Sequence, residues 1–286
     1  MNKLRIIIGV MICAAGLLLQ SCDKVEAPYK ENTQSGGDPV NPEKVMKNAV
    51  IFEFTGHMCP NCPAAAEIAH ELKGIKKDKL SIVAIHAGVF ARKTSSFPQD
   101  FNTDLGTKWN SELIVQSYPI GVVNWVEDPS SNTLLSNPSN WGATVQSETA
   151  KEADASIKLE SEKINDSDIK ISAKVKFTKD VTGAHNLLLL VTEDKIIGKQ
   201  KVDKVTKDDY EFNSVLRASI TDGFYGESIH PKSDNPVVNE NYDMVKTLKV
   251  QDGWVKDNLN VVAVLFKTKD KIADYEILQV KEISLK

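Results

Sequence analysis

Two cysteines separated by two residues are the first candidates for chemistry in this chain. Cys59 and Cys62 lie in the segment 53-EFTGHMCPNCPAAAEIAHELK-73, between an apolar run and a stretch of helix-forming residues. A pair at this spacing can form a reversible disulfide, supply two ligands of a metal site, or act as a structural crosslink. The spacing alone leaves these three interpretations open.

A helix that follows the pair favours redox chemistry at the first cysteine. The unpaired N–H groups and the positive end of a helix dipole stabilise a thiolate, which is both the nucleophile and the better leaving group in disulfide exchange. We therefore expect Cys59 to attack and Cys62 to resolve. Because Pro63 lacks an N–H and disfavours helical geometry in the residue before it, the helix begins either at Cys59, with a lost hydrogen bond, or at Pro63, with Cys62 as its cap.

A metal site at the pair would need further ligands that the sequence does not offer at a suitable spacing. Zinc takes about four ligands, and there is no second Cys-x-x-Cys and no His-x3-His. His57, His70 and His86 would have to converge. His86, near the carboxyl end of a strand, either lies close to the site or is an ordinary packed or solvated histidine, and we expect His70 on an ordinary helix face. The prediction is no metal and no cofactor.

The elements around the cysteines have the order expected of an α/β domain. The run 49-AVIFEFT-55 is typical of a buried strand, 63-PAAAEIAHELKGI-75 of a helix, and 79-KLSIVAIHAG-88 of a second buried strand. Together they predict a βαβ unit with a right-handed crossover. The next predicted elements are a helix within 99–115, a hairpin within 119–135 and a helix that ends near Lys151.

After residue 153 the pattern changes to short strands. In 169-IKISAKVKF-177 apolar and polar residues alternate strictly, as in a half-exposed strand. Similar runs lie at 155–161, 186–193, 245–250, 259–267 and 273–281. The predicted fold is thus an α/β domain at 45–152 followed by an all-β, immunoglobulin-like sandwich at 153–286.

The N-terminus predicts export and attachment to a membrane. Lys3 and Arg5 precede an apolar run that is long enough for a signal peptide and short for a membrane span. It ends in 19-LQSC-22, which resembles the lipobox of bacterial lipoproteins. We expect a signal peptide at 1–21, a lipidated Cys22 that anchors the chain in the membrane, and a flexible tether at 22–44.

Charge and cysteine usage limit the partners and the redox state. The chain has 35 basic and 39 acidic residues, and this acidic balance gives no indication of nucleic-acid binding. Cys13 leaves with the signal peptide and Cys22 carries lipid, so Cys59 and Cys62 are left in the folded part. Because an exported protein meets oxidising conditions, we expect these two to form a disulfide.

The segment from residue 45 to about 150 resembles the thioredoxin fold. Its Cys-x-x-Cys, which includes Pro60 and Asn61, fits the active site of that family, where these residues would contact the substrate. Glu53 takes the place of the buried acidic residue that moves protons at the second cysteine. Tyr118 and Pro119 precede the hairpin, as does the family's cis-proline that guides the substrate chain.

The sequence also permits plainer interpretations of these positions. Glu53 either points to solvent at a strand edge or is buried beside the cysteines with a raised pKa. The Tyr118–Pro119 bond is either an ordinary trans bond or cis, as the resemblance implies. Met58 replaces the tryptophan that usually precedes the first cysteine, so the surface around the thiols differs from that of the family.

The layout of the whole chain resembles the Omp28-related outer-membrane proteins of Bacteroidota. The most specific part is 53-EFTGHMCPNCP-63, together with the lipobox and the C-terminal β-domain. The resemblance implies a lipoprotein of the outer membrane, on its periplasmic or surface face, without an established activity. Two functions remain open: a thiol–disulfide oxidoreductase acting on envelope or surface proteins or peptides, and a non-catalytic binding, adhesion or structural lipoprotein with a structural disulfide.

Overall fold

The computed structural model describes residues 44–231 and 235–285, and these belong to one compact unit. The predicted signal peptide at 1–21, Cys22 and nearly all of the tether lie outside the described residues. The elements in chain order are β1 Ala49–Thr55, α1 Cys62–Lys76, β2 Leu80–His86, α2 Asp104–Glu112, β3 Ile120–Val123, β4 Leu135–Ser136, α3 Pro138–Thr149, β5 Ala155–Lys163, β6 Asp168–Phe177, β7 His185–Glu193, β8 Ile196–Val202, β9 Val205–Phe212, β10 Val215–Ser219, β11 Glu227–Ser228, β12 Asn241–Lys249, β13 Leu259–Lys267 and β14 Glu276–Ser284.

The predicted βαβ unit is confirmed by β1, α1 and β2. Both strands are buried along their whole length, and they pair in parallel from Ala49 opposite Leu80 to Thr55 opposite His86. The connecting helix places Ala69 in a core shared with both strands, where its small side chain permits close packing of helix on sheet. This unit fixes the position of the Cys-x-x-Cys segment between β1 and α1.

The predicted hairpin and the helix after it are also present. β3 runs antiparallel to β1 and pairs with β4, so the sheet grows outward from β1. α3 begins at Pro138, which suits the first turn of a helix because its missing N–H needs no partner there. It buries Trp141 and Val145 in the same core as α1.

One sheet runs through both predicted domains. β10, from the second half of the chain, pairs in parallel with β2 through Val215 and Ala84, and in antiparallel with β7. The main path of the resulting sheet has the order β14-β13-β7-β10-β2-β1-β3-β4. The predicted boundary between residues 152 and 153 falls between α3 and β5, and a shared apolar core joins strands from both sides of it.

A second β layer covers part of this sheet. β5, β6 and β12 form a separate antiparallel sheet, and apolar residues on one of its faces pack against β7 and β13. In β6 the buried residues alternate with more exposed ones, as the sequence pattern predicts for a strand with one face on a core. The described chain is therefore a mixed α/β protein with a large sheet and two packed β layers in its second half.

The hairpin of β8 and β9 stands apart from both layers. It is a two-stranded antiparallel sheet, closed by a two-residue turn at Asp203 and Lys204. Asp203 has a φ of 50°, the left-handed geometry that a tight hairpin turn requires. This hairpin reaches the Cys-x-x-Cys segment. No helix in the described ranges is long and apolar enough to cross a membrane.

Candidate functional site

Cys59 and Cys62 are joined by a disulfide at the start of α1, and their Cα atoms are 5.5 Å apart. The helix begins at Cys62 with Asn61 as its N-cap, and Pro63 lies in the first turn. Of the two starts considered from the sequence, the one at Cys59 is wrong, because Pro63 cannot donate the hydrogen bond that such a helix needs. The start at Pro63 with Cys62 as its cap is one residue too late, since the cap is Asn61. Both cysteines are almost fully buried, with relative exposures of 1% and 2%.

Glu53 is buried on the α1 side of β1, as one of the two sequence interpretations predicts. The residue is 1% exposed, and its Oε1 atom has no hydrogen-bond partner among the described residues. Burial without a compensating charge raises the pKa of this carboxyl to about 8. At neutral pH the side chain is therefore a protonated acid that can give up and recover a proton.

The Tyr118–Pro119 bond is cis, as the thioredoxin resemblance implies. Pro119 lies directly before β3, whose first residue Ile120 pairs with Phe54 near the end of β1. The Tyr118 hydroxyl donates a hydrogen bond to the Asn110 side chain. The cis bond therefore lies at the same end of β1 as the disulfide.

The hairpin of β8 and β9 covers the disulfide segment with three hydrogen bonds. The side-chain amide of Gln200 donates to the Cys59 carbonyl oxygen (3.0 Å). The backbone amide of Lys201 donates to the carbonyl oxygen of His57 (2.8 Å), and that of Asp203 to the carbonyl oxygen of Pro60 (3.1 Å). Sequence reasoning missed this contact, which holds the hairpin against the backbone on both sides of the buried Cys59.

A cavity of about 520 Å³ lies beside the disulfide, between α1 and the hairpin. Its buried wall includes Glu53, Cys62, Ala84 and His86, so the Glu53 carboxyl and the second cysteine border the same space. Cys59 does not line it. Pro60 and Asn61, predicted to contact substrate, border the cavity, whereas Tyr118 and Pro119 do not.

Two histidines beside the site are held neutral by burial. Burial lowers the pKa of His86 to about 3, with a smaller effect from His57, and the imidazole packs edge-on against Phe101 and Phe212. Burial also lowers the pKa of His57, which donates from Nε2 to the carbonyl oxygen of Arg92 (3.0 Å). His86 lines the cavity, which is one of the two positions that the sequence left open for it.

His70 also belongs to the site, although the sequence suggested an ordinary helix face. It is half-buried and lines the cavity, and burial lowers its pKa. Cys62, Ala66 and His70 follow each other at intervals of four residues, which places them on one side of a helix. The position of His70 beside the cavity could therefore have been predicted from its distance of eight residues from Cys62. No group of three or more His, Cys, Asp or Glu within the described ranges is arranged to hold a metal ion.

Solved structures with a similar fold include two that match most of the chain. HBP35 of Porphyromonas gingivalis matches with a TM-score of 0.65 at 15% identity, over 84% of this chain and 76% of that one. A protein from Agrobacterium tumefaciens matches with a TM-score of 0.51 at 12% identity, over 85% of this chain and 96% of that one. These likenesses show a shared fold.

A domain of the outer membrane lipoprotein Omp28 from Porphyromonas gingivalis matches 46% of this chain and 88% of its own length, at 20% identity and a TM-score of 0.31. No curated protein sequence matches the chain.

The sequence profile of the family described as "Outer membrane protein Omp28" matches residues 106–286. This range begins in α2 and takes in the hairpin of β8 and β9, the second β layer and most of the large sheet. Because the match extends over more than half of the chain, the protein belongs to the Omp28 family of outer membrane proteins, which confirms both the family and the location predicted from the sequence.

Proposed function

We propose that this Omp28-family protein is a thiol–disulfide exchange protein of the outer membrane, with Cys59 and Cys62 as its redox pair. The observation that carries the proposal is Glu53, a buried carboxyl that shares a cavity with Cys62 and whose Oε1 has no hydrogen-bond partner among the described residues. An isolated carboxyl inside a protein costs stability, and a carboxyl with a raised pKa beside a disulfide is suited to proton transfer.

The chemistry of the pair needs such a proton carrier. When Cys62 leaves a disulfide as a thiolate in a buried site, the negative charge must be neutralised. The carboxyl of Glu53, with a pKa of about 8, is protonated at neutral pH and can donate that proton. In the reverse direction its carboxylate accepts the proton from the Cys62 thiol, which makes that thiol a nucleophile again.

In this proposal Cys59 is the thiol that attacks a partner disulfide. It lies next to the N-terminus of α1, where unpaired N–H groups favour the thiolate. The partners are envelope or surface proteins or peptides, which reach Cys59 after the β8–β9 hairpin is displaced. Pro60, Asn61, Tyr118 and Pro119 then contact the partner chain.

The test compares single-cysteine variants in exchange with a labelled peptide disulfide. The reduced protein carries Cys22→Ser, which leaves Cys59 and Cys62 in the folded part. Cys62→Ser should accumulate a stable mixed disulfide at Cys59, and Cys59→Ser should abolish exchange with the peptide. If the Cys62→Ser protein captures neither this peptide nor any envelope protein, exchange is not the function of the pair.

A second function is favoured by the coverage of the disulfide. Cys59 is 1% exposed, and three hydrogen bonds from the hairpin fix the segment from His57 to Pro60. These features suit a structural disulfide in a binding, adhesion or structural lipoprotein. In that case the second half of the chain, proposed to be an immunoglobulin-like sandwich, would make the contacts through its loops.

The proposed lipid anchor would keep the disulfide site close to the outer membrane. A lipid on Cys22 would hold the chain in the outer membrane, and residues 22–44 would act as a tether about 25 Å long as a coil. Replacing Cys22 by Ser should abolish incorporation of a fatty-acid label into the protein while leaving the disulfide chemistry intact. Continued labelling of the variant would contradict lipid anchoring at this residue.

A further inference from the structure

The cavity beside the disulfide leads to Cys62 while the hairpin is in place. Cys62 lines it and Cys59 does not, and Gln200, which donates to the Cys59 carbonyl oxygen, lines the same cavity. The volume of about 520 Å³ falls within the range of roughly 300–1,000 Å³ that is typical of small-molecule sites. A small molecule in this cavity therefore borders the second cysteine.

The exposed rim of the cavity is acidic. Three carboxylate residues border it at exposed positions, Glu67 on α1 and Asp203 and Glu211 on the hairpin, against the single exposed lysine Lys207. His70 adds no positive charge at neutral pH, since burial lowers its pKa. A rim of this composition attracts cations and repels anions.

We propose that the cavity binds small cationic aminothiols, and that the thiolate of the bound molecule attacks Sγ of Cys62. This inference rests on the proposed redox function and supplies a reductant for the pair. A second feature that points to a polar ligand there is the buried carboxyl of Glu53 in the cavity wall, whose Oε1 has no partner within the described part of the chain.

The first step is one thiol–disulfide exchange. The aminothiol sulfur forms a bond to Cys62 Sγ while the Cys59–Cys62 bond breaks, and the electron pair leaves with Cys59 Sγ. Cys59 is the favourable leaving group, because its thiolate lies beside the N-terminus of α1 and a thiol of lower pKa leaves faster.

A second aminothiol completes the reduction. Its thiolate attacks the small-molecule sulfur of the mixed disulfide, which releases a symmetrical small disulfide and leaves Cys62 as a thiolate. The Cys62 thiolate takes a proton from Glu53. The Cys59 thiolate and the Glu53 carboxylate each take a proton from solvent. These two protons balance those that the two aminothiols released to solvent when they formed thiolates. In total, one protein disulfide is reduced to two thiols while two aminothiols are oxidised to one disulfide. The hairpin can stay closed throughout.

The experiment compares three thiols of similar size as reductants of the full mature chain with Cys22→Ser. The probes are 2-aminoethanethiol, which is cationic, 2-mercaptoethanol, which is neutral, and 2-mercaptoethanesulfonate, which is anionic. Rates are divided by the thiolate fraction of each reagent. We expect the corrected rate of reduction to be highest for the cationic thiol, lower for the neutral one and lowest for the anionic one. At low salt each rim carboxylate should contribute a rate difference of about two- to fivefold, and at high salt the differences should be smaller.

Charge variants locate the effect. Glu67→Gln and Asp203→Asn should each reduce the preference for 2-aminoethanethiol over 2-mercaptoethanesulfonate about two- to fivefold. Glu71→Gln is the matched control, because it removes the same charge from an exposed position on the same helix that does not line the cavity. It should leave the preference nearly unchanged.

The attacked sulfur is identified with single-cysteine variants and bis(2-aminoethyl) disulfide. With rates corrected to the thiolate, Cys59→Ser, which keeps Cys62, should form the mixed disulfide faster than Cys62→Ser. A faster reaction at Cys59, or equal corrected rates for the three thiols, would overturn this inference and leave the redox function standing. Failure of all three thiols to reduce the pair would instead count against the redox function itself.

Discussion

The side-chain amide of Gln200 donates a hydrogen bond of 3.0 Å to the carbonyl oxygen of Cys59, across 141 positions of sequence. Gln200 is itself buried, although it belongs to a hairpin whose second strand is largely exposed. This contact ties the β8–β9 hairpin to the first cysteine. Access of large partners to Cys59 therefore depends on how firmly the hairpin is held.

Gln200→Ala should make Cys59 more accessible. The change removes one of the three hydrogen bonds between hairpin and disulfide segment and should lower the free energy of unfolding by about 1 kcal/mol. We expect faster alkylation of Cys59 in the reduced protein and faster exchange with a peptide disulfide. Gln251→Ala is the control, since that glutamine is exposed and bonds only a nearby carbonyl oxygen. Equal rates in the two variants would mean that Gln200 does not restrict access.

Glu53→Gln should change the pH dependence of stability. Burial raises the pKa of Glu53 from 4.5 to about 8, so between these values the folded protein binds a proton that the unfolded chain has lost. This contribution to stability is fully present below pH 4.5 and is lost as the pH rises to about 8, by about 1.4 kcal/mol per pKa unit at most. Glu53→Gln should remove that decline, as denaturant unfolding at several pH values would reveal.

The same substitution should slow exchange at Cys62. Glutamine cannot give or take a proton, so the variant should lose the part of the rate that titrates near pH 8, by a factor of about 10² or more. Glu71→Gln, at an exposed position on α1, should behave like the parent. An unchanged pH profile of exchange in Glu53→Gln would contradict proton transfer by this residue.

His185 should make the protein less stable at low pH, whereas Glu53 makes it less stable at high pH. Its Nδ1 lies 3.0 Å from Nε2 of His230, and burial, aided by the charge of His230, lowers the pKa of His185 to about 4. Because the unfolded histidine titrates near 6.5, stability should be lost as the pH falls from about 6.5 toward 4. His185→Gln should weaken this acid sensitivity, measured as the difference in unfolding free energy from the parent at each pH.

Gly56, just before the disulfide segment, and Gly74, near the end of α1, should respond oppositely to replacement by alanine. A Cβ at Gly56 would lie 2.5 Å from the carbonyl carbon of Phe90, so Gly56→Ala should destabilise the protein by about 1–3 kcal/mol. A Cβ at Gly74, on an exposed part of α1, meets nothing within 4 Å. Gly74→Ala should therefore stabilise by about 0.5–1 kcal/mol through helix propensity. Thermal unfolding of the two variants against the parent measures both effects.

The sequence predicted those elements whose burial follows a regular pattern. β1 and β2 are buried on both faces and appear as apolar runs, and β6 alternates as a strand on a core does. β8, β9 and β10 were missed. β9 is exposed at nearly every position, so its residues carry neither alternation nor an apolar run. β10 is a short strand whose place between β2 and β7 depends on long-range pairing.

The same distinction applies to the site. The burial of Glu53 and the cis bond before Pro119 could be predicted from the resemblance to the thioredoxin fold. In that fold an acidic residue has a fixed position before the first cysteine, and a cis-proline has a fixed position before the hairpin. The cover provided by Gln200 could not, because it depends on a contact between distant segments. The single sheet that joins both halves of the chain was missed for the same reason.

The reduction potential of the Cys59–Cys62 pair tests the central claim most directly. It is measured by equilibrating the Cys22→Ser protein with thiol–disulfide buffers of known potential and alkylating the free thiols. An exchange function predicts a reduction potential above about −300 mV and rapid thiol–disulfide exchange between the buffer and the Cys59–Cys62 pair. A potential below that value, together with sluggish exchange, would contradict the account and assign the disulfide a structural role.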